Sequence, residues 1–437
     1  VPHDCLRLGY ASDDRLFVPV ENIEVLTRYG SADSGAVLDK MGGAGWQARK
    51  AKVKNRLEDM AEALIQVAAE RALRPGRKLS PQDSIYHEFC ARFPYSETDD
   101  QLNAIADTVA DLEGDKPMDR LICGDVGFGK TEIALRATFS AVMAGGQVAV
   151  VAPTTLLCRQ HYATFSERFQ GYPVRIGQLS RMVSLGDAAE TKAGITDGTV
   201  DIVIGTHAIL GKSIKFNDLA LLIVDEEQHF GVAQKEKLKQ IRADVHVLTL
   251  TATPIPRTLQ LALSGVKEMS IISTPPVDRL AVRTFVLPFD PLIVREAIMR
   301  EKFRGGQIFY VCPRIVDLTE LEKELKELVP DLKIAVAHGQ MAAAELEEVM
   351  TRFYEGRTEL LLSTQIIESG LDIPNANTLL VHRADRFGLA QLYQLRGRIG
   401  RSKQRAYCYL TIPPDSKMTE SATKRLEVMQ SLDSLGA

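Results

Sequence analysis

From residue 121 onward the sequence alternates short apolar runs with longer amphipathic stretches, and no other feature of the chain constrains its fold as strongly. Leu121-Ile-Cys123, Val148-Ala-Val-Val-Ala152, Ile202-Val-Ile204, Leu221-Leu-Ile-Val224 and Val247-Leu-Thr-Leu250 form one series. Gln307-Ile-Phe-Tyr-Val311, Ile334-Ala-Val336, Glu359-Leu-Leu-Leu362, Thr378-Leu-Leu-Val381 and Ala406-Tyr-Cys-Tyr-Leu410 form a second. Runs of this length, separated by helical patterns, are the βαβ signature of parallel sheets. Between the two series lies Ser273-Thr-Pro-Pro-Val277, a connector stiffened by its prolines. Two α/β lobes in tandem are therefore expected, the first over 85–274 and the second over 275–437.

The start of the chain reads differently. Residues 1–45 carry short alternating bursts such as Arg15-Leu-Phe-Val-Pro-Val20, broken by glycines, and suggest a partial small β module. Residues 46–84 hold one long helical pattern and a linker. Val53, Leu57, Met60, Leu64 and Val67 share a helix face, and Arg49, Lys50, Lys52, Lys54 and Arg56 make its first half basic.

Composition excludes little beyond disorder and fibrous repeats. With 53 Lys and Arg against 57 Asp and Glu the net charge is −4, so contact with a polyanion must come from local basic surface. Six cysteines without a CxxC pair argue against a disulfide framework and a structural zinc, and a reducing cytoplasm is the expected location. No apolar run approaches the ~20 residues of a membrane span. The opening VPHDCLRLGY and the closing SLGA read as positions inside a longer protein.

Chemistry concentrates in three places. Gly124-Asp-Val-Gly-Phe-Gly-Lys-Thr131 fits GxxxxGK[ST] and sits between an apolar strand and the helical stretch Glu132 to Met143. In that setting backbone N–H groups of Gly124, Asp125, Val126, Gly127, Phe128 and Gly129 can close around phosphates. Lys130 would reach the β and γ oxygens of ATP, and the Thr131 hydroxyl would ligate Mg²⁺. Asp225-Glu226-Glu-Gln228 follows a buried strand, which puts its acids at the sheet edge where the phosphate loop opens. Asp225 suits a hold on Mg²⁺, and Glu226 suits polarising the attacking water. In the second lobe, Gln394-Leu-Arg-Gly-Arg398-Ile-Gly-Arg401 places two arginines three apart, on one face if the segment is helical, as candidate arginine fingers. A phosphate loop on one lobe and arginines on the other imply a cleft that closes on ATP and reopens after hydrolysis.

Taken in order, GDVGFGKT, Pro153-Thr-Thr-Leu-Leu157, Gly205-Thr-His207, Asp225-Glu-Glu-Gln228, Thr251-Ala-Thr-Pro-Ile-Pro-Arg257, Ser363-Thr-Gln-Ile-Ile-Glu-Ser-Gly-Leu-Asp372 and QLRGRIGR resemble the motifs of superfamily 2 helicases and translocases. His338-Gly-Gln-Met341 and Arg386-Phe-Gly-Leu-Ala-Gln391 narrow the likeness to the RecG-like branch. The stretch Arg15 to Asn22, with Tyr29, Lys40-Met-Gly-Gly43 and Trp46, is similar to bacterial transcription-repair coupling factors. The resemblance implies two RecA-like lobes and an ATP hydrolase that translocates on double-stranded DNA, without regard to sequence, and acts on stalled RNA polymerase in transcription-coupled repair. It places Phe93 and Gln101 at adenine, Gly370, Asp372 and Gln394 at the nucleotide, and Thr154, Thr206, His207 and Thr364 along the DNA backbone. Leu16 and Val18 would present an edge strand to the polymerase β subunit.

The resemblance also puts damage-recognition modules before residue 1, and a coupling motif and regulatory domain after Ala437. Repair-factor recruitment would then belong to the parent protein, and the chain alone is expected to hydrolyse ATP but to displace obstacles poorly. Two other readings stay open on the sequence: a RecG-type helicase of branched DNA, and an ATP-switched binding module without net movement.

Overall fold

A computed structural model of the chain describes residues 5–9, 15–19, 73–80, 83–211, 213–227, 230, 245–252, 267–276, 280–364, 373, 375–401, 404–414 and 418–431. The expected long helix over 46–72, Gln228, Gly370, Asp372 and all of the TATPIPR segment after Ala252 lie outside the described residues. The chain divides into two units, 1–69 and 70–437.

In the first unit, β1 (Cys5–Gly9) pairs antiparallel with β2 (Arg15–Pro19), in a register that sets Leu8 opposite Leu16 and Leu6 opposite Val18. Leu16 and Phe17 are exposed. Among the described residues β2 is paired along one side only, as the sequence leads one to expect of an edge strand.

The second unit carries the two α/β lobes. The first runs α1 (Asp83–Ala91), α2 (Asp99–Glu113), β3 (Asp119–Gly124), α3 (Lys130–Met143), β4 (Gln147–Val151), α4 (Thr155–Arg168), β5 (Ile176–Leu179), α5 (Leu185–Asp197), β6 (Ile202–Gly205), β7 (Leu219–Asp225), β8 (His246–Thr251) and β9 (Glu268–Ile272). Its strands form one sheet in the order β5-β6-β4-β7-β8-β3-β9, every pairing parallel. The second lobe runs β10 (Arg283–Pro288), α6 (Pro291–Phe303), β11 (Gln307–Val311), α7 (Val316–Leu328), β12 (Ile334–Ala337), α8 (Ala343–Tyr354), β13 (Leu360–Ser363), β14 (Ala376–Val381), α9 (Leu389–Arg396), β15 (Tyr407–Ile412) and α10 (Glu420–Ser431). Its sheet, β10-β15-β14-β11-β13-β12, is also parallel throughout.

Alternation along each central strand feeds two cores. On β4, Val148 and Val150 pack with Phe139 and Phe165 on one face, while Ala149 and Val151 pack with Ile195 and Val203 on the other. Burial on both faces is why these strands read as unbroken apolar runs. Three strands absent from the sequence expectation, β5, β9 and β10, are all sheet edges with alternating or partial burial, so no continuous apolar run marks them.

The condition under which Arg398 and Arg401 would share a helix face is not met: α9 stops at Arg396, and Gly400 takes a left-handed φ of 73°. The two arginines sit in the turn beyond the helix, because glycines at 397 and 400 supply the flexibility that ends it.

The connector between the lobes is tied down at its start. Asp100, in the first turn of α2, accepts hydrogen bonds on Oδ2 from the Ser273 amide (2.9 Å) and hydroxyl (2.7 Å) and from the Thr274 amide and hydroxyl (3.0 Å each). These donors, Ser273 above all, hold its carboxyl below the usual carboxylate range.

Helix α1 is pinned to the first lobe by aromatic packing. Phe89 is fully buried and stacks on Phe139 with ring centroids 4.3 Å apart. Phe89→Ala is expected to destabilise this lobe by about 3–5 kcal/mol, read as an earlier urea transition. An unchanged midpoint would show that α1 is dispensable to the lobe.

Candidate functional site

Because every strand of the first sheet points the same way, the loops after β3, β4, β6, β7 and β8 all leave at one edge. The loop after β3 is the phosphate loop. Gly127 and Gly129 hold left-handed φ values of 82° and 78°, and a Cβ on Gly129 would lie 2.4 Å from Gln101 Nε2. The backbone angle thus favours glycine at 129, and any Cβ there would have to displace the Gln101 amide from the loop.

Lys130 opens α3 and folds back across the loop, where its Nζ donates to the carbonyls of Gly124 (2.6 Å) and Asp125 (3.0 Å). Desolvation lowers the pKa of this ammonium. The nearby charges of Glu226, Asp225 and Asp125 oppose the shift, and Arg401 from the other lobe adds to it. Lys130, three carboxylates and Arg401 therefore form one electrostatic cluster spanning the two lobes. A further link runs from Tyr393 of α9, whose hydroxyl donates to Asp125 Oδ2 at 3.1 Å. Arg398 is buried close by in sequence, and Gln394 is half-buried on α9.

Asp225 ends β7, and Glu226 follows in a left-handed conformation (φ 50°) that a non-glycine residue adopts at a cost of about 1 kcal/mol or more. Hydrogen bonds secure it: the Glu226 amide donates to the Leu250 carbonyl (2.9 Å) and its Oε1 accepts from the Ala252 amide (3.2 Å). The bend turns the Glu226 side chain toward the end of β8. Asp225 Oδ2 lies 2.8 Å from Nε2 of His161 on α4.

The remaining expected residues fall into place by element. Thr98 caps α2, and Gln101 completes a capping box, its Oε1 accepting from the Thr98 amide (2.9 Å) while its Nε2 donates to the Phe128 carbonyl (2.9 Å). Gln101 thus joins the start of α2 to the phosphate loop. Phe93 lies near a buried ionic network in which Glu132 Oε1 accepts from Arg136 Nε (2.9 Å) and an Arg168 terminal nitrogen (2.8 Å). Thr131 is the second residue of α3. Thr154 caps α4 through its hydroxyl, Thr206 and the exposed His207 begin the short helix after β6, and Thr364 follows β13. Val18 lies on β2 beside the exposed Leu16. His161 and Tyr393 are side chains at the site that sequence reading does not single out. A histidine on one helix and a tyrosine on another carry no motif of their own. Among the described residues there is no cluster of three or more His, Cys, Asp or Glu side chains able to hold a metal, and no helix long and apolar enough to cross a membrane.

The chain matches the DEAD/DEAH box helicase family over residues 98–262, the helicase conserved C-terminal domain over 291–403, and the CarD-like/TRCF RID domain over 1–30. It is 53% identical to the transcription-repair-coupling factor of Rickettsia bellii across 100% of its own length. Over its whole length the chain is similar to transcription-repair-coupling factors. It spans 39% of that relative, and 38% of the Escherichia coli transcription-repair-coupling factor, to which it is 49% identical over 99% of its length. A structure of RecG bound to a three-way DNA junction superposes with a TM-score of 0.75 at 33% identity, covering 96% of this chain and 56% of RecG. The fold is thus that of two tandem helicase lobes, and the higher identity to the coupling factors sets it apart from RecG.

Gly129→Ala should lower the affinity for a fluorescent adenine nucleotide at least ~10-fold, since the added carbon meets Gln101. Wild-type affinity in this variant would remove the phosphate loop, as folded here, from the nucleotide site.

Proposed function

We propose that the chain is an ATP-dependent translocase on double-stranded DNA, the motor with which transcription-repair-coupling factors act on a stalled RNA polymerase. The observation that carries the reading is the phosphate loop with Lys130 folded across it, bonded through Asp125 to Tyr393 of the other lobe. Phosphoryl transfer needs positioning and charge neutralisation more than covalent chemistry, and this arrangement offers both.

The phosphate loop fits a triphosphate: its left-handed glycines curl the backbone at the start of α3, and the Lys130 ammonium, held by two loop carbonyls, can exchange those for phosphate oxygens. Thr131 and Asp225 would hold Mg²⁺, which, when bound, offsets charge on the phosphates. Glu226, pinned by the Ala252 amide, would orient the attacking water, and Arg398 and Arg401 would stabilise the charge that builds in transit. Phe93 and Gln101 would meet the adenine. Gly370, Asp372 and Gln394 complete the proposed nucleotide contacts.

DNA would run along Thr154, Thr206, His207 and Thr364, which follow parallel strands. Hydroxyl and amide contacts to phosphates carry no sequence information, so binding is sequence-independent and salt-sensitive. RecG's capture of a DNA junction supports a duplex substrate for this related fold. The match of 1–30 to the RID family supports RNA polymerase as the partner of the β1-β2 hairpin, where Leu16 and Phe17 are exposed.

Turnover measured with and without linear duplex tests the whole reading. DNA should stimulate ATP hydrolysis, Lys130→Ala should lose nucleotide binding, and Glu226→Gln should bind but not hydrolyse. Arg398→Ala should keep affinity within a few-fold and lose ~10³ in turnover. Turnover indifferent to DNA would favour a nucleotide-gated binding module instead. Leu16→Asp with Val18→Asp should abolish co-purification with bacterial RNA polymerase and spare turnover; persistent co-purification would take the hairpin out of the interface.

A further inference from the structure

Asp225 and His161 are 64 positions apart in sequence, on β7 and α4, yet both are buried and their side chains meet at 2.8 Å. An ionised carboxylate can only accept, so Nε2 carries the proton and donates. The ring that makes this bond is itself held. Phe165, one turn further along α4 and fully buried, meets His161 edge-on, with ring centroids 6.3 Å apart and planes at 89°. The carboxylate thus stands at the strand end with one oxygen fixed by a side chain whose own orientation is fixed by the core.

We propose that His161 is a positioning residue for the nucleotide-bound divalent cation: by holding Oδ2 of Asp225 it sets where the other carboxylate oxygen stands. This rests on the nucleotide reading above. The torsion about Cβ–Cγ of an aspartate is broad and roughly two-fold, so an Asp at a strand end does not by itself aim its oxygens. Binding Oδ2 removes that freedom and defines the position of Oδ1. Outer partners of this kind tune metal affinity by 10–100-fold where they have been removed.

A packing role alone would require a ring-shaped side chain at 161 and nothing more. A positioning role requires an N–H directed at Asp225. The two separate cleanly, because His161→Phe keeps the ring volume and loses the donor, whereas His161→Gln keeps an amide donor of similar reach.

Mn²⁺ serves as the probe. Its affinity is read by electron paramagnetic resonance in the presence of a non-hydrolysable ATP analogue, alongside kcat, KM and thermal melting of the same 437-residue chain. Expected is Mn²⁺ affinity at least ~10-fold weaker in His161→Phe, with kcat reduced and KM for nucleotide little changed, and near wild-type values in His161→Gln. His161→Leu provides a second donor-free variant should Phe fail to fold. Wild-type Mn²⁺ affinity in a folded donor-free variant would overturn the inference, as would a folded Gln variant as weak as Phe. If the wild-type chain with nucleotide bound no Mn²⁺, the nucleotide reading would fall first and this inference with it.

Discussion

Parallel pairing throughout the two lobe sheets is the constraint on which the rest depends. A parallel strand cannot be joined to its neighbour by a tight hairpin, so each connection crosses a face as a helix or long loop and returns to the same end. The seven-stranded sheet therefore delivers the phosphate loop, the Thr154 cap, Thr206, Asp225 and the end of β8 to one edge, although they span residues 124 to 252. In the second lobe Thr364 leaves at the C-terminal end of β13, whereas the arginine turn comes before β15, with Gly400 against Val282 and Ala406 at the start of β10 and β15. Strand direction gathers the first lobe's chemistry, and the turn after α9 supplies the arginines.

That gathering creates an electrostatic problem and its solution together. Three carboxylates, Asp125, Asp225 and Glu226, converge near the phosphate loop, and their like charges repel. Lys130 compensates from within the loop, and Arg401 adds positive potential from the other lobe. Glu226 occupies a backbone region that its side chain disfavours, and two hydrogen bonds, from its amide to Leu250 and from Ala252 to its carboxylate, hold it there. Strain kept at such a place is what turns a run of acids into two residues with different orientations.

The two lobes, their parallel sheets and the central strands were legible in the sequence because strands buried on both faces need unbroken apolar runs. Edge strands β5, β9 and β10 were not, since half their residues face water and their polar positions look like loop. At the site, glycines and the GK[ST] and DEE signatures declared themselves through chemistry that few other spacings serve. His161, Tyr393 and Asp100 did not. Each acts through one partner distant in sequence, Asp225, Asp125 and the Ser273-Thr274 pair respectively, and pairwise long-range geometry leaves no local pattern. The conformation of the arginine segment stayed open for a different reason. A spacing of three is shared by helix and turn, and the flanking glycines, visible in the sequence, decide for the turn.

Arg159 of α4 meets Glu355, which caps α8 in the other lobe, at 3.0 Å, and both side chains retain contact with water. An exposed pair of this kind contributes little and is weakened by salt. It is also made of the two charges that a passing polyanion disturbs most, attracting the arginine and repelling the glutamate. The lobes are thus fastened at this point by a clasp whose strength is set by the surrounding ions, and the resting separation of the cleft becomes a property of the solution as much as of the chain.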